Sequence, residues 1–126
     1  MRVIVLLFFA LSSFAQNNNQ RLAYQYYLDG DYEKAIVLYE EINKKNFYLN
    51  TYSPYFNSLI FSNKLSQAEK IAKKQFSKNN TRLNFLADII IAQFKLNKKN
   101  QYSFNLKKLH RLINKRNSQT IQVANR

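Results

Sequence analysis

Apolar residues recur three and four positions apart along most of the chain, and two such helical patterns meet within residues 22–42. The first pattern comprises Leu22, Ala23, Tyr26 and Tyr27, and the second comprises Tyr32, Ala35, Ile36, Tyr39 and Ile42. Gly30, the only glycine of the chain, lies between them and is expected at positive φ just past the first helix. Asp31 is then expected to cap the second helix, so the stretch predicts a helical hairpin.

The same spacing predicts further helices over residues 51–63, 65–78 and 81–96. Ser53 is expected as the N-cap of the first of these, with Pro54 at its first helical position, and Thr81 as the N-cap of the third. Asn63 takes the place of the turn glycine, since asparagine also adopts the left-handed conformation.

A last helix is predicted from its apolar stripe, which comprises Tyr102, Leu106, Leu109, Leu112 and Ile113. Residues 117–126 have no such pattern and are expected to form a flexible basic tail. With one glycine and one proline in the whole chain, turns are few. The fold class is therefore predicted to be all-α.

The first hairpin resembles a tetratricopeptide repeat (TPR), a helix–turn–helix unit of about 34 residues. The matching positions are Leu22, Ala23, Tyr26, Gly30, Tyr32, Ala35 and Tyr39. Ile42 is larger than the usual alanine, Asn19 stands where the usual tryptophan would be, and the closing proline is absent. Leu65, Ala68 and Ala72 repeat the second-helix pattern 33 residues later, and the third pair matches loosely. An unrelated six-helix bundle is the alternative interpretation.

The resemblance implies a short right-handed α-solenoid of about three helix–turn–helix pairs over residues 16–116. It also implies a concave protein-binding face lined by the first helix of each pair. Mapped onto this chain, that face comprises Tyr24, Tyr27, Asn57, Phe61 and Phe94. Core packing is the alternative for each of these side chains.

Residues 1–15 have the layout of a cleavable signal peptide. Arg2 gives a positive start, Val3 to Leu11 is an unbroken apolar run, and small residues lie three and one positions before a cut after Ala15. The run is too short to span a membrane, which needs about 20 apolar residues. The mature chain is therefore expected to begin at Gln16, without a transmembrane span, in the periplasm or outside the cell.

Charge is divided unevenly along the chain. Residues 1–63 contain five basic and five acidic side chains, whereas residues 64–126 contain fifteen basic and two acidic ones. Opposite the leucine stripe of the last helix lie Lys107, Lys108, Arg111 and Lys115. They form either a solvated end of the repeat array or a face for an acidic protein, an anionic lipid surface or another polyanion. Export and the lack of interleaved aromatic residues argue against nucleic acid.

Residues suited to catalysis are scarce. There is no cysteine, and His110 is the only histidine, on the flank of the last apolar stripe. Asp29, Asp31 and Glu33 lack the later ligands of a calcium loop and are explained by turn and cap roles. The sequence predicts no catalytic, metal or cofactor site. Together with the resemblance to a TPR, it favours an exported, non-enzymatic adaptor or scaffold that binds protein, with a binder of anionic surfaces as the alternative.

Overall fold

The computed structural model describes residues 18–44 and 47–124, and within these ranges the chain is all-helical, with no strand. The predicted signal peptide, residues 1–15, lies outside them. The six described helices are α1 (residues 18–28), α2 (Tyr32–Ile42), α3 (Leu49–Phe61), α4 (Leu65–Lys78), α5 (Leu83–Lys95) and α6 (Lys99–Ala124). The predicted all-α class is confirmed. The described helices fall into two compact units, α1–α3 and α4–α6, which divide between Asn63 and Lys64.

In the first unit, α1 and α2 form the predicted hairpin. Gly30 has φ +80°, as expected, and its N–H donates to the Tyr27 carbonyl at 3.3 Å. The N–H of Asp31 donates to the Tyr26 carbonyl at 2.8 Å, which completes a Schellman turn. Asp31 is the N-cap residue of α2, but its side chain makes no capping bond and instead accepts from Lys34 Nζ at 2.8 Å.

Small residues let the helices of this unit approach closely. Ala23 and Ala35 are both fully buried. Beside them α2 packs on α3, where the rings of Tyr39 and Tyr55 lie 5.8 Å apart. Burial raises the pKa of Tyr39, whose hydroxyl finds no partner among the described residues. Burial of these apolar side chains is the main force holding the unit together.

Helix α3 begins earlier than predicted, at Leu49, so Ser53 is not its N-cap and Pro54 lies inside it. A set of hydrogen bonds that joins Asn43, which precedes the helix, to Tyr48 and Thr51 stabilises this earlier start. Asn43 Oδ1 accepts from the Tyr48 N–H at 3.0 Å, and the Thr51 hydroxyl donates to the Tyr48 carbonyl at 2.7 Å. These bonds satisfy backbone groups of an added first turn that local capping signals do not indicate.

In the second unit, α4 packs on α5 and α5 packs on α6. The core of this unit combines alanines with larger side chains, namely Ala68, Ala72, Phe85, Leu86, Ile89 and Ala92. The turn after α5 is again left-handed, with Asn97 at φ +58°. The N–H of Lys98 donates to the Gln93 carbonyl at 2.9 Å, which repeats the bond pattern found at Gly30.

The structure corrects two helix ends in this unit. Arg82 rather than Thr81 is the N-cap of α5, and the Thr81 carbonyl instead accepts from Arg116 Nη2 at 2.8 Å. Helix α6 also continues through Ala124, where a flexible tail was expected from residue 117. This stretch contains no glycine or proline, so each added residue can extend the helical hydrogen bonding.

The close packing around Ala35 can be tested by Ala35→Leu. We expect the larger side chain to overpack the close contact between helices at Ala35 and to lower the free energy of unfolding by about 1–3 kcal/mol. Val37→Leu is the matched control, because Val37 lies on the same helix and is 62% exposed. Urea denaturation measures both variants, and equal midpoints would contradict close packing at Ala35.

Candidate functional surfaces

Four aromatic side chains of the first unit form a continuous line that we term the aromatic row: Tyr24, Tyr27, Tyr32 and Phe61. The ring centroids are 5.9 Å apart between Tyr24 and Tyr27, and 6.2 Å apart between Tyr27 and Tyr32. The last pair, Tyr32 and Phe61, is separated by 4.9 Å. Helices α1, α2 and α3 each contribute to the row, so the tertiary fold of the unit assembles it.

Asn57 ties the row to α3. Its side-chain Nδ2 donates to the Tyr27 hydroxyl at 3.3 Å. Tyr24 is 49% exposed and Phe61 is 60% exposed, so the two ends of the row project into solvent, while Tyr27 and Asn57 are half-buried. Four of the five residues predicted from the resemblance are therefore brought together.

The apolar pattern placed Tyr32 at the start of the second helix, and the predicted binding face did not include it. Its half-buried ring joins the two parts of the row, contacting Tyr27 on one side and Phe61 on the other. The position of Tyr32 in the sequence could have indicated that it lies on this surface. Tyr32 follows Gly30 by two residues and Phe61 precedes Asn63 by two, so both flank left-handed turns.

Phe94, the fifth predicted residue, belongs to the second unit. Its ring is 66% exposed and meets Tyr102 edge-on, with centroids 5.5 Å apart. It is therefore a surface residue rather than a core residue.

The basic residues predicted on α6 do not share one site. Lys108 and Lys115 line a cavity of about 420 Å³ together with Arg116, which the sequence did not single out. We term this the basic cavity. Lys108 Nζ lies 5.0 Å from the centre of the Phe76 ring, and the hydrogen bond from Arg116 to Thr81 fixes the guanidinium at its edge. Lys107 instead lies beside the apolar side chains of Leu106, Leu109 and Ile113 on α6, and Arg111 is exposed.

A buried carboxylate organises the second unit. Glu69 is 4% exposed and accepts from Lys73 and Lys98, each at 2.5 Å, and from Gln93 Nε2 at 2.9 Å. Gln93 Oε1 in turn accepts from Asn105 Nδ2 at 2.9 Å, so the cluster reaches α6. Burial alone would raise the pKa of Glu69, but these hydrogen bonds and the lysine charges outweigh it and lower the pKa to about 2.

The hydrogen-bonding atoms of Gln93 are all engaged within the Glu69 cluster, which connects α4, α5 and α6. Within residues 18–44 and 47–124, no group of His, Cys, Asp or Glu side chains could hold a metal ion. No helix in the described part of the chain has the length and apolar character needed to cross a membrane. Comparison of the chain with protein-family models, curated proteins and solved structures finds no match.

The low pKa of Glu69 predicts a specific pH dependence. Because the folded pKa lies below the ordinary 4.5, stabilisation by the carboxylate is present above about 4.5 and is lost as pH falls toward about 2. We expect Glu69→Gln to lower the free energy of unfolding by about 3 kcal/mol at pH 7. The difference from the wild type should shrink over that acid range.

Denaturant titrations at several pH values from neutrality down to about pH 2 measure this difference, because the range includes both the ordinary pKa and the lowered pKa of Glu69. Glu41→Gln is the control, since Glu41 is exposed and its substitution should leave stability nearly unchanged. A Glu69→Gln deficit that stays constant with pH would show that the carboxylate charge is not the source of stabilisation.

Proposed function

We propose that the chain is a non-enzymatic adaptor or scaffold of the cell envelope that binds a partner protein through the aromatic row. The observation that carries this proposal is the continuity of the row across three helices, with both ends exposed. The amino-terminal signal-like sequence, residues 1–15, supports the envelope location.

A TPR-like repeat array is part of the same proposal. Support comes from the left-handed residues Gly30, Asn63 and Asn97, which lie 33 and 34 residues apart, close to the period of about 34 residues in that family. Further support comes from the fully buried alanines Ala23 and Ala35 in the first hairpin and Ala68 in α4.

The composition of the row suits protein recognition. Tyrosine offers a large contact area together with a hydroxyl that can bond to a partner, and it is enriched among residues that dominate binding energy. The bond from Asn57 holds the Tyr27 ring before a partner arrives, which lowers the entropy lost on binding. The row therefore combines two exposed anchors, Tyr24 and Phe61, with a preorganised centre.

The test is a double variant, Tyr24→Ala with Phe61→Ala, used in a crosslinking pull-down from the envelope fraction. We expect the principal partner to be lost, because each anchor that contributes about 2 kcal/mol changes affinity by about 30-fold. Folding should survive, since both rings are about half exposed or more.

Val37→Ala is the matched control, an exposed apolar side chain of the same unit outside the row. Retention of the partner by Val37→Ala and its loss from the double variant support the proposal. If the double variant captures the same partner with equal yield, the row is not the binding surface.

The basic cavity supports a second candidate function, which is binding of anionic groups. Lys108, Lys115 and Arg116 converge on one concave site, and the residues around it are neutral. A carboxylate or phosphate that entered would meet three positive charges, one of them a planar guanidinium suited to two parallel hydrogen bonds.

This candidate is tested by Lys108→Gln, Lys115→Gln and Arg116→Gln combined, with a polyglutamate peptide and anionic vesicles as probes. The control removes the same charge from exposed positions of the second unit outside the cavity, at Lys70, Lys95 and Lys99. We expect the cavity variant to lose about tenfold more affinity than the control, measured by fluorescence anisotropy at fixed salt. Equal losses would show that attraction depends on net charge alone.

A further inference from the structure

Helix α6 has an apolar strip that the second unit leaves partly uncovered. Leu106, Leu109 and Ile113 follow one another at i, i+3 and i+7, and with Lys107 and His110 they line a groove of about 530 Å³. Leu106 is 52% exposed and Ile113 is 41% exposed, while Leu109 is half-buried. We refer to Leu106, Leu109 and Ile113 as the α6 strip.

The spacing of the strip matches the seam of a coiled coil, in which apolar side chains of one helix fit between those of another. A seam of this width accommodates the apolar edge of a single helix. The neighbouring Leu112 is turned elsewhere, toward the basic cavity, and Tyr102 is engaged with Phe94. The α6 strip is thus one narrow line of apolar side chains. Phe104 and Ile121 are also exposed on α6 but do not line the same groove.

Charge identifies the kind of helix that fits this line. Every charged residue of α6 is basic, and the six are Lys99, Lys107, Lys108, Arg111, Lys115 and Arg116. The helix has no acidic side chain that could neutralise them. A partner helix with glutamates or aspartates beside its apolar edge would gain both apolar burial and charge attraction.

We infer that the α6 strip docks an amphipathic, acidic helix of a partner protein. A second copy of this chain is a poorer occupant, because pairing two α6 helices would bring like charges together with no acidic side chain on either helix to offset them. A lipid surface is also a poorer occupant, since a helix lying in a bilayer interface needs a broad apolar face. The inference does not depend on the aromatic row, which lies in the other unit.

The probe is a labelled amphipathic peptide of about 21 residues, with leucine at the two core heptad positions and glutamate at the flanking ones. A second peptide replaces every glutamate with lysine. We expect the full chain to bind the acidic peptide at least about tenfold more tightly than the basic one by fluorescence anisotropy. Raising the salt concentration should weaken that binding.

Leu106→Gln combined with Ile113→Gln removes the exposed part of the strip. We expect at least about a tenfold loss of affinity for the acidic peptide. Phe104→Gln is the matched control, because Phe104 is 67% exposed on the same helix but borders a different groove, with Lys73 and Gln93. Circular dichroism melts of both variants show whether each remains folded.

Preference for the acidic peptide, lost in the double variant and kept in Phe104→Gln, supports the proposal. Three results would overturn it: no binding of the acidic peptide, equal binding of the two peptides, or full affinity in the double variant. Binding to anionic vesicles or self-association that requires Leu106 and Ile113, without binding of the acidic peptide, would assign the strip to a membrane or to a second copy.

Discussion

Helices α1, α3 and α5 are each followed by a residue whose backbone is left-handed, and the placement of the helices along the chain depends on that constraint. Gly30, Asn63 and Asn97 each have φ between 57° and 80°, a region that most side chains avoid. Only one glycine is available, so asparagine, the side chain that best tolerates this conformation, serves at the other two turns. These positions fix where the helices around them stop and start, and thereby which side chains face the core.

Polar clusters then fix the helices within each unit. In the second unit Glu69 connects α4 to Gln93 on α5 and to Lys98 just before α6, so the start of α6 depends on a buried charge. In the first unit Asn43 connects the end of α2 to the start of α3 through the Tyr48 N–H. Such bonds are directional, and they specify helix positions that apolar packing alone would leave less defined.

The elements that the sequence predicted well are those governed by local rules. The left-handed backbone at Gly30 and Asn63 and the bounds of α4 follow from residue type and apolar spacing. The start of α3 does not, because it depends on Asn43, which precedes the helix. The surfaces divide in the same way. The resemblance grouped Tyr24, Tyr27, Asn57 and Phe61 on one surface, and these residues do lie together. The bridging position of Tyr32 and the burial of Glu69 depend on tertiary contacts, which the spacing of residues in the sequence cannot reveal.

The uneven distribution of charge affects how the second unit would respond to its surroundings. Residues 64–126 contain fifteen basic and two acidic side chains, so folding concentrates positive charge that repels itself. Dissolved salt screens this self-repulsion over about 8 Å at physiological strength and so favours the folded unit. The same screening weakens attraction to an acidic partner, so added salt would raise the melting temperature while lowering affinity. A bound acidic helix would itself act as a localised counter-ion, and it would stabilise the unit most where dissolved ions are scarce.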